Sequence, residues 1–177
     1  MTTERSKGAV DTGIIRSCTG ADFNAMLAII NDAATAYRGV IPEDCWHDPY
    51  MRADELSREI AADIRFAGYD HAGSLIGVMG TQPVQDVTLI RHAYVSTRGQ
   101  RRGVGTALLQ HLRARTDRPI LIGTWAAAHW AIRFYEQHGF RVIESTDKNA
   151  LLKKYWTVSD RQIETSVVLA DERWPRR

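Results

Sequence analysis

The chain has 177 residues, of which 44% are hydrophobic and 25% are charged, and this composition is typical of a globular domain with a buried core. A formal net charge of +2 is too small to favour nucleic acid or a membrane surface as the partner. Two cysteines exclude a disulfide framework, and no apolar run reaches the length of a membrane span. The N-terminal residues carry mixed charge and no apolar signal core, so we expect a cytoplasmic protein.

The first half of the chain alternates strand and helix patterns. Residues 1–10 form a polar lead that we expect to be flexible, and residues 11–172 are expected to form one domain. In chain order the patterns predict a strand over 13–18, a helix over 22–36, a loop over 44–50, a helix over 53–62, strands over 63–70 and 74–82, and a strand that follows Asp86 and ends at Val95.

The second half continues this alternation. A helix that begins at Val104 carries apolar side chains at the i, i+3, i+4 and i+8 spacing of a helix packed on a sheet. Residues 173–177 are predicted to be a solvated tail. Between these two segments the patterns predict a strand over 120–124, a helix over 127–138 with Trp130 on its apolar face, a strand over 140–143, a helix over 148–156 and a strand over 162–170.

A glycine loop joins the strand that ends at Val95 to the helix that begins at Val104. Glycine allows close approach of a ligand, the first helical N–H groups are unpaired, and the helix dipole adds positive charge, so the loop predicts phosphate binding. It has neither the lysine of a P-loop nor the third glycine and acidic residue of a dinucleotide fingerprint. A tight turn without a ligand is the alternative. The residues of this segment are Gln100, Arg101, Arg102, Gly103, Val104, Gly105 and Thr106.

The loop sequence Gln-Arg-Arg-Gly-Val-Gly resembles the acetyl-CoA pyrophosphate loop of the GNAT superfamily of N-acetyltransferases. Residues 131–140, Ala-Ile-Arg-Phe-Tyr-Glu-Gln-His-Gly-Phe, resemble the second signature of this superfamily, and the two motifs stand in the expected order and separation. The resemblance covers residues 14–170 and is clearest over 86–142. It implies an α/β fold with a mixed, mostly antiparallel central sheet of about seven strands flanked by helices.

The resemblance also implies an activity and a co-substrate. Acetyl-CoA would donate its acetyl group to a primary amine, which attacks the thioester directly in a ternary complex. Residues 100–106 would hold the pyrophosphate, with Arg101 and Arg102 as natural side-chain partners for phosphate. A backbone N–H within the segment Ala93, Tyr94 and Val95 would polarise the thioester carbonyl, at a place where two strands splay apart.

Tyr135 matches the superfamily tyrosine whose hydroxyl protonates the departing thiolate. The alternative for Tyr135 is a core aromatic at the edge of the apolar stripe. Three positions depart from the superfamily pattern. Ala128 stands where an asparagine often contacts the pantetheine arm, Thr97 stands where a proline commonly follows the strand, and Leu89 stands where many members carry a glutamate. A non-catalytic acyl-CoA-binding or sensor module is therefore the alternative function.

The general base is not assigned by the resemblance. Many members carry a glutamate on the strand before the glycine loop, and Leu89 is the best match to that position. His92 is a candidate base because an imidazole titrates near neutrality, and a histidine packed beside the sheet is the alternative. Asp86 and Glu43 are weaker candidates, and a water chain would need no dedicated base.

The acceptor is predicted to be a small-molecule or peptide amine. Tyr37, Trp46 and Tyr50 have the composition of a pocket wall, and a hydrophobic lid or a dimer contact is the alternative. Antibiotics, amino acids, polyamines and protein N-termini all remain open as acceptors. Homodimers are common in the superfamily, so the resemblance allows one here. The histidine spacing does not suit a metal site, and we expect no metal.

Overall fold

The computed structural model describes residues 13–175, so the predicted lead over residues 1–10 lies outside the described residues. The strands are β1 (Ile14–Ser17), β2 (Arg65–His71), β3 (Ser74–Val84), β4 (Val87–Val95), β5 (Ile120–Trp125), β6 (Arg141–Val142) and β7 (Ser166–Ala170). The helices are α1 (Phe23–Ala34), α2 (Ala53–Ala61), α3 (Val104–Arg113), α4 (His129–Gln137), α5 (Ser145–Tyr155) and α6 (Asp160–Thr165).

The strands form one seven-stranded sheet in the order β1-β2-β3-β4-β5-β7-β6. Every neighbouring pair is antiparallel except β4 and β5, which are parallel. The predicted fold class, a mixed and mostly antiparallel sheet flanked by helices, is confirmed. The parallel pairing covers three residue pairs and ends at Ile90 and Ile122, although both strands continue beyond it. The two strands therefore separate in the middle of the sheet.

Alternation of side chains along the strands divides the core between the two faces of the sheet. Ile90 and Ile122 face the side covered by α3 and α4. On the opposite face, α1 and α2 cover one end, where Val78 is buried, and α5 and α6 cover the other end, where Leu89 and Leu121 are buried. The gap between β4 and β5 thus lies at the border between two groups of helices.

The C-terminal strand is shorter than predicted. We expected a strand over residues 162–170, but residues 160–165 form α6 and only Ser166–Ala170 is a strand. The cause is a capping box, in which the Ser159 hydroxyl accepts from the backbone N–H of Gln162 at 3.2 Å while the Gln162 side chain accepts from the backbone N–H of Ser159 at 3.0 Å. The two bonds satisfy N–H groups that would otherwise be unpaired at the helix start.

Two further expectations need correction near the C-terminus. The helix predicted over 148–156 begins three residues earlier, at Ser145. The expected solvated tail is wrong for Arg173 and Trp174. Arg173 donates from its Nε to Asp171 at 2.7 Å, and the indole of Trp174 lies edge-on to Tyr155 with 6.3 Å between ring centroids. Residues 176–177 lie outside the described part of the chain.

Candidate active site

A cavity of about 370 Å³ lies where β4, the glycine loop, α4 and the end of α1 meet. The loop is tied to the strand because the Gln100 side-chain amide donates to the carbonyl of Val95 at 3.3 Å. The structure brings Tyr135 and all the predicted cofactor residues except Arg102 into this cavity wall, namely Ala93, Tyr94, Val95, Gln100, Arg101, Gly103, Val104, Gly105 and Thr106. We call this space the first cavity.

The glycine loop presents unpaired N–H groups at the start of α3. Gly103 has a φ of 77°, a left-handed conformation that glycine adopts without steric cost, and it makes no side-chain cap. Ala107 donates the first bond of the helix to the Gly103 carbonyl at 2.9 Å. The N–H groups of Val104, Gly105 and Thr106 precede that bond, so they remain available to an anion at the positive end of the helix dipole.

The two arginines of the loop have different surroundings. Arg101 lines the first cavity and has a φ of 59°, an uncommon conformation for a residue with a side chain. Arg102 turns away from the cavity, and its guanidinium Nη2 lies 3.2 Å from Nε2 of His71 near the β2–β3 turn. Arg101 therefore borders the first cavity, and Arg102 does not.

This difference leads to a matched pair of variants. Arg101→Ala removes the guanidinium and leaves a residue with a side chain at the same positive φ. We expect acetyl-CoA affinity to fall roughly 10-fold, since a charged hydrogen bond contributes about 1.5–3 kcal/mol. Arg102→Ala should change the affinity less than threefold. Calorimetry with acetyl-CoA and with S-acetylpantetheine, which lacks the nucleotide, measures both effects. An equal loss for both ligands in Arg101→Ala would remove this side chain from the phosphate site.

A β-bulge reshapes β4 beside the first cavity. The register pairs Val78 with Tyr94 and Gly80 with Arg91, which leaves Met79 opposite two residues of β4. One of these two is His92, whose φ is 51°. Bulges bend a strand and redirect its side chains, and they are frequent beside functional sites. Sequence reasoning missed this bulge, although glycine inside a strand such as β3 is its usual signal.

A second cavity of about 170 Å³ adjoins the first. Tyr37 and Tyr94 line both spaces, so the two cavities share a wall. Tyr50 and His92 line the second cavity, and the Tyr50 hydroxyl accepts a hydrogen bond from the Trp125 indole at 3.0 Å. Burial raises the pKa of the three tyrosine hydroxyls, so they are protonated at neutral pH.

Trp46 stands behind the predicted pocket wall. It lines neither of the two cavities, but its ring lies 5.6 Å from that of Tyr50, and the Arg38 guanidinium covers its face at 5.2 Å. Trp130 was expected on the apolar face of its helix, but the structure leaves it 46% exposed. Its indole stacks on Tyr37 at 5.7 Å and lines the first cavity. Helical spacing predicts a packing role for Trp130, whereas in the structure its ring is an exposed contact surface at the cavity wall.

Tyr135 is buried on α4 and lines the first cavity. Phe134 and Phe140 hold its ring by edge contacts with centroid distances of 5.1 and 5.8 Å. Burial, reinforced by nearby Tyr37, raises the pKa of the Tyr135 hydroxyl, so the phenol keeps its proton at neutral pH. A protonated phenol in the wall of a cavity can donate a proton or a hydrogen bond to a ligand there.

His92 forms a cluster with Glu59 and Arg91. Its Nε2 atom lies 3.0 Å from Oε2 of Glu59, and Arg91 donates from Nη2 to the same oxygen at 2.9 Å. Burial by itself raises the pKa of the Glu59 carboxyl, but the hydrogen bond with His92 and the charge of Arg91 outweigh it, so the pKa lies below its ordinary value. Glu59 is therefore ionised at neutral pH. Sequence reasoning missed it because only the fold brings α2 over β4.

The other candidate bases are not placed at either cavity. Asp86 lies at the β3–β4 turn, where its carboxylate accepts from the Tyr155 hydroxyl at 2.8 Å. The rise along β4 puts it roughly 26 Å from Tyr94, so Asp86 is wrong as a base for this site. Glu43 is exposed in a short turn of 3₁₀ helix and lines neither cavity. Leu89 is fully buried beneath α5, so that position contributes only packing.

Within residues 13–175, no group of three or more histidine, cysteine, aspartate or glutamate side chains is arranged to hold a metal ion. No helix of the same described range is both long and apolar enough to cross a membrane.

Comparison with known proteins adds a family model and several solved structures. A model described as an acetyltransferase (GNAT) domain matches residues 30–153. The UPF0157 protein YqkA of Bacillus subtilis (strain 168) is 30% identical over 118 residues, which are 64% of this chain and 34% of that protein. The chain thus spans about a third of the length of this relative.

Among solved structures, the PaiA N-acetyltransferase of Thermoplasma acidophilum in complex with coenzyme A has a TM-score of 0.68 at 15% identity, covering 90% of this chain and 98% of that one. The ribosomal-protein-S18-alanine N-acetyltransferase of Escherichia coli has a TM-score of 0.64 at 19% identity, covering 90% and 93%. A GNAT family acetyltransferase of Elizabethkingia anophelis with acetyl-CoA bound has a TM-score of 0.61 at 18% identity, covering 92% and 99%. These likenesses show a shared fold.

Proposed function

Because the chain belongs to the GNAT acetyltransferase family, we propose that it transfers an acetyl group from acetyl-CoA to a primary amine by direct attack in a ternary complex. The observation that carries the proposal is the pair of adjoining cavities. One is lined by the glycine loop and Tyr135, and the other is lined by His92, with Tyr37 and Tyr94 in the wall that they share. Donor and acceptor would meet at this wall.

The groups that line the first cavity have the chemistry that binding acetyl-CoA requires. The N–H groups at the start of α3 and the Arg101 guanidinium would hold the pyrophosphate, and glycine at 103 leaves the loop open to close approach. When bound, acetyl-CoA supplies a thioester carbonyl as the electrophile. The bulged end of β4 carries residues that line both cavities, and a backbone N–H within residues 93–95 would polarise that carbonyl.

Two residues would transfer the protons of the reaction, one at each cavity. A carbon–nitrogen bond forms and the carbon–sulfur bond breaks, so the amine must lose a proton and the thiolate must gain one. His92 accepts the amine proton on the acceptor side. Tyr135 donates its phenolic proton to the departing thiolate on the cofactor side, and solvent exchange restores both groups between turnovers.

The second cavity would receive the amine. Its walls include five tyrosine and tryptophan side chains, with Tyr50 and Trp125 joined by a hydrogen bond, and these rings suit the apolar part of a small-molecule or peptide amine. Tyr37 stands between the two cavities and would contact both reactants. Trp46 would act indirectly, by supporting the ring of Tyr50.

His92→Ala tests the base. We expect kcat/KM to fall about 100-fold, because a positioned general base typically contributes 10²–10⁴-fold, and the acid limb of the pH profile should disappear. Acetyl-CoA affinity should not change, since His92 lies outside the first cavity. His111→Ala is the control, because this imidazole on α3 lines neither cavity. Full activity with an unchanged pH profile in His92→Ala would favour a water chain instead.

Thiol release from acetyl-CoA in the presence of a panel of amines tests the function itself. We expect release that depends on one class of amine and that is slow when no amine is present. The alternative, a non-catalytic acyl-CoA-binding module, binds acetyl-CoA tightly and releases no thiol with any amine. Binding without release across a panel of amino acids, polyamines, aromatic amines and peptide N-termini would favour that alternative.

A further inference from the structure

The β-bulge in β4 gives two adjacent side chains the same partner. Successive side chains of a regular strand point to opposite faces of the sheet, so Arg91 and His92 could not both reach one residue on α2. With Met79 opposite two residues, both side chains turn to the same face and contact the same carboxylate oxygen of Glu59, at 2.9 and 3.0 Å. A left-handed backbone is unfavourable for a residue with a side chain, so the surroundings must hold His92 there.

We propose that Glu59 is a positioning residue of this enzyme, whose carboxylate fixes the ring orientation of His92 and selects the tautomer that accepts the amine proton. The inference rests on the proposed function, because it gives His92 the part of the base. No residue of α2 belongs to either sequence motif, and the contact comes from the fold alone.

The geometry determines which ring nitrogen is left to react. An ionised carboxylate can only accept hydrogen bonds, so Nε2 of His92 must carry the hydrogen that faces Glu59. The neutral ring then has its lone pair on Nδ1. A proton that leaves the attacking amine is received at Nδ1, and the resulting imidazolium is stabilised by the negative charge of Glu59.

The charged groups around this pair favour an ionised Glu59. Arg91 on β4 shares the carboxylate, and Arg58 on α2 also favours its ionised form. From β2, the Phe66 ring stacks on the imidazole at 6.0 Å without adding charge. Removing the charge of Glu59 therefore leaves the His92 ring without its anionic partner and beside cationic Arg91.

Glu59→Gln removes the charge and keeps an oxygen that can accept hydrogen bonds. We expect kcat/KM to fall about tenfold or more, because the His92 ring is no longer held in the orientation and tautomer that receive the proton. In a His92→Ala background the same substitution should have no further effect, since Glu59 acts through His92. Asp54→Asn is the matched control, because it removes an exposed carboxylate from the same helix.

A spectroscopic measurement on the wild-type protein needs neither activity nor a mutation. It therefore does not depend on whether a variant folds or on the proposed function. Nitrogen NMR of the His92 ring in the wild-type protein should show hydrogen on Nε2, and hydrogen on Nδ1 would overturn the proposal. If wild-type protein releases no thiol with any amine, the proposed function fails, but the NMR measurement still tests whether Glu59 sets the tautomer of His92. If the wild type is active but Glu59→Gln keeps its full kcat/KM, or if its effect adds in full to that of His92→Ala, the role of Glu59 is refuted.

Discussion

Tyr135→Phe should lower the turnover number by about 10²–10⁴-fold, the usual contribution of a positioned general acid. The substitution keeps the ring and its edge contacts with Phe134 and Phe140, and removes only the hydroxyl. Burial keeps this phenol protonated at neutral pH, so it is a donor throughout the working range. Acetyl-CoA affinity and melting temperature should change little, because no hydrogen bond within residues 13–175 engages this hydroxyl.

Tyr155→Phe is the control for this prediction. Its hydroxyl donates to Asp86 at 2.8 Å, far from the cavities, so its loss should reduce stability by about 1 kcal/mol and leave turnover intact. Steady-state rates and thermal melts of the two variants are measured side by side. Wild-type turnover in Tyr135→Phe would show that this tyrosine serves only packing.

Gly103→Val should reduce acetyl-CoA affinity by about 100-fold while the fold is retained. A side chain at this position meets no atom within 4 Å, so the loss does not come from a clash inside the protein. It comes from the φ of 77°, which a β-branched residue adopts only at a cost, so the loop moves and its N–H groups lose their common direction. The added side chain also stands where the pyrophosphate would approach.

Gly73→Val is the matched control, because it introduces the same backbone strain at another glycine with a positive φ. Gly73 has a φ of 78° in the β2–β3 turn, also meets no atom within 4 Å, and lines neither cavity. The two variants should lose similar stability, and only Gly103→Val should lose affinity in calorimetry. Unchanged cofactor affinity in Gly103→Val would remove the loop from the binding site.

Much of the wall of the first cavity could be predicted from the sequence because it is built from short, contiguous segments. Residues 93–106 contain a strand end, a loop and a helix start, and residues 131–140 contain one helix and its end. Local rules for glycine, helix termini and apolar spacing describe such segments well. The structure accordingly brings parts of both segments together in the wall of one cavity.

The second cavity and the contact of Glu59 with His92 could not be predicted in the same way, because their residues come from separate elements. Glu59 on α2 has an ordinary helical pattern, and nothing near it in the sequence indicates a contact with His92. The bulge that creates this contact depends on the pairing of β3 with β4, which is a long-range property. Trp130 was assigned to packing because helical spacing does not distinguish a buried stripe from the wall of a cavity.

The short helix α6 was missed for a different reason. Alternating apolar residues over 162–170 suggested one strand, but the pair Ser159 and Gln162 satisfies the first helical N–H groups and starts a helix instead. As a result, Gln162 lines the second cavity from a helix rather than from the sheet.

The most direct measurement of the central claim follows the acetyl group itself. Wild-type protein is mixed with acetyl-CoA labelled in its acetyl group and with the amine that gives the fastest thiol release, and the products are identified by mass spectrometry and NMR. We expect one labelled N-acetyl product for each thiol released, formed at a rate that Tyr135→Phe and His92→Ala both reduce. Labelled acetate in place of an N-acetyl product would mean that the thioester is hydrolysed, and would contradict acetyl transfer between the two cavities.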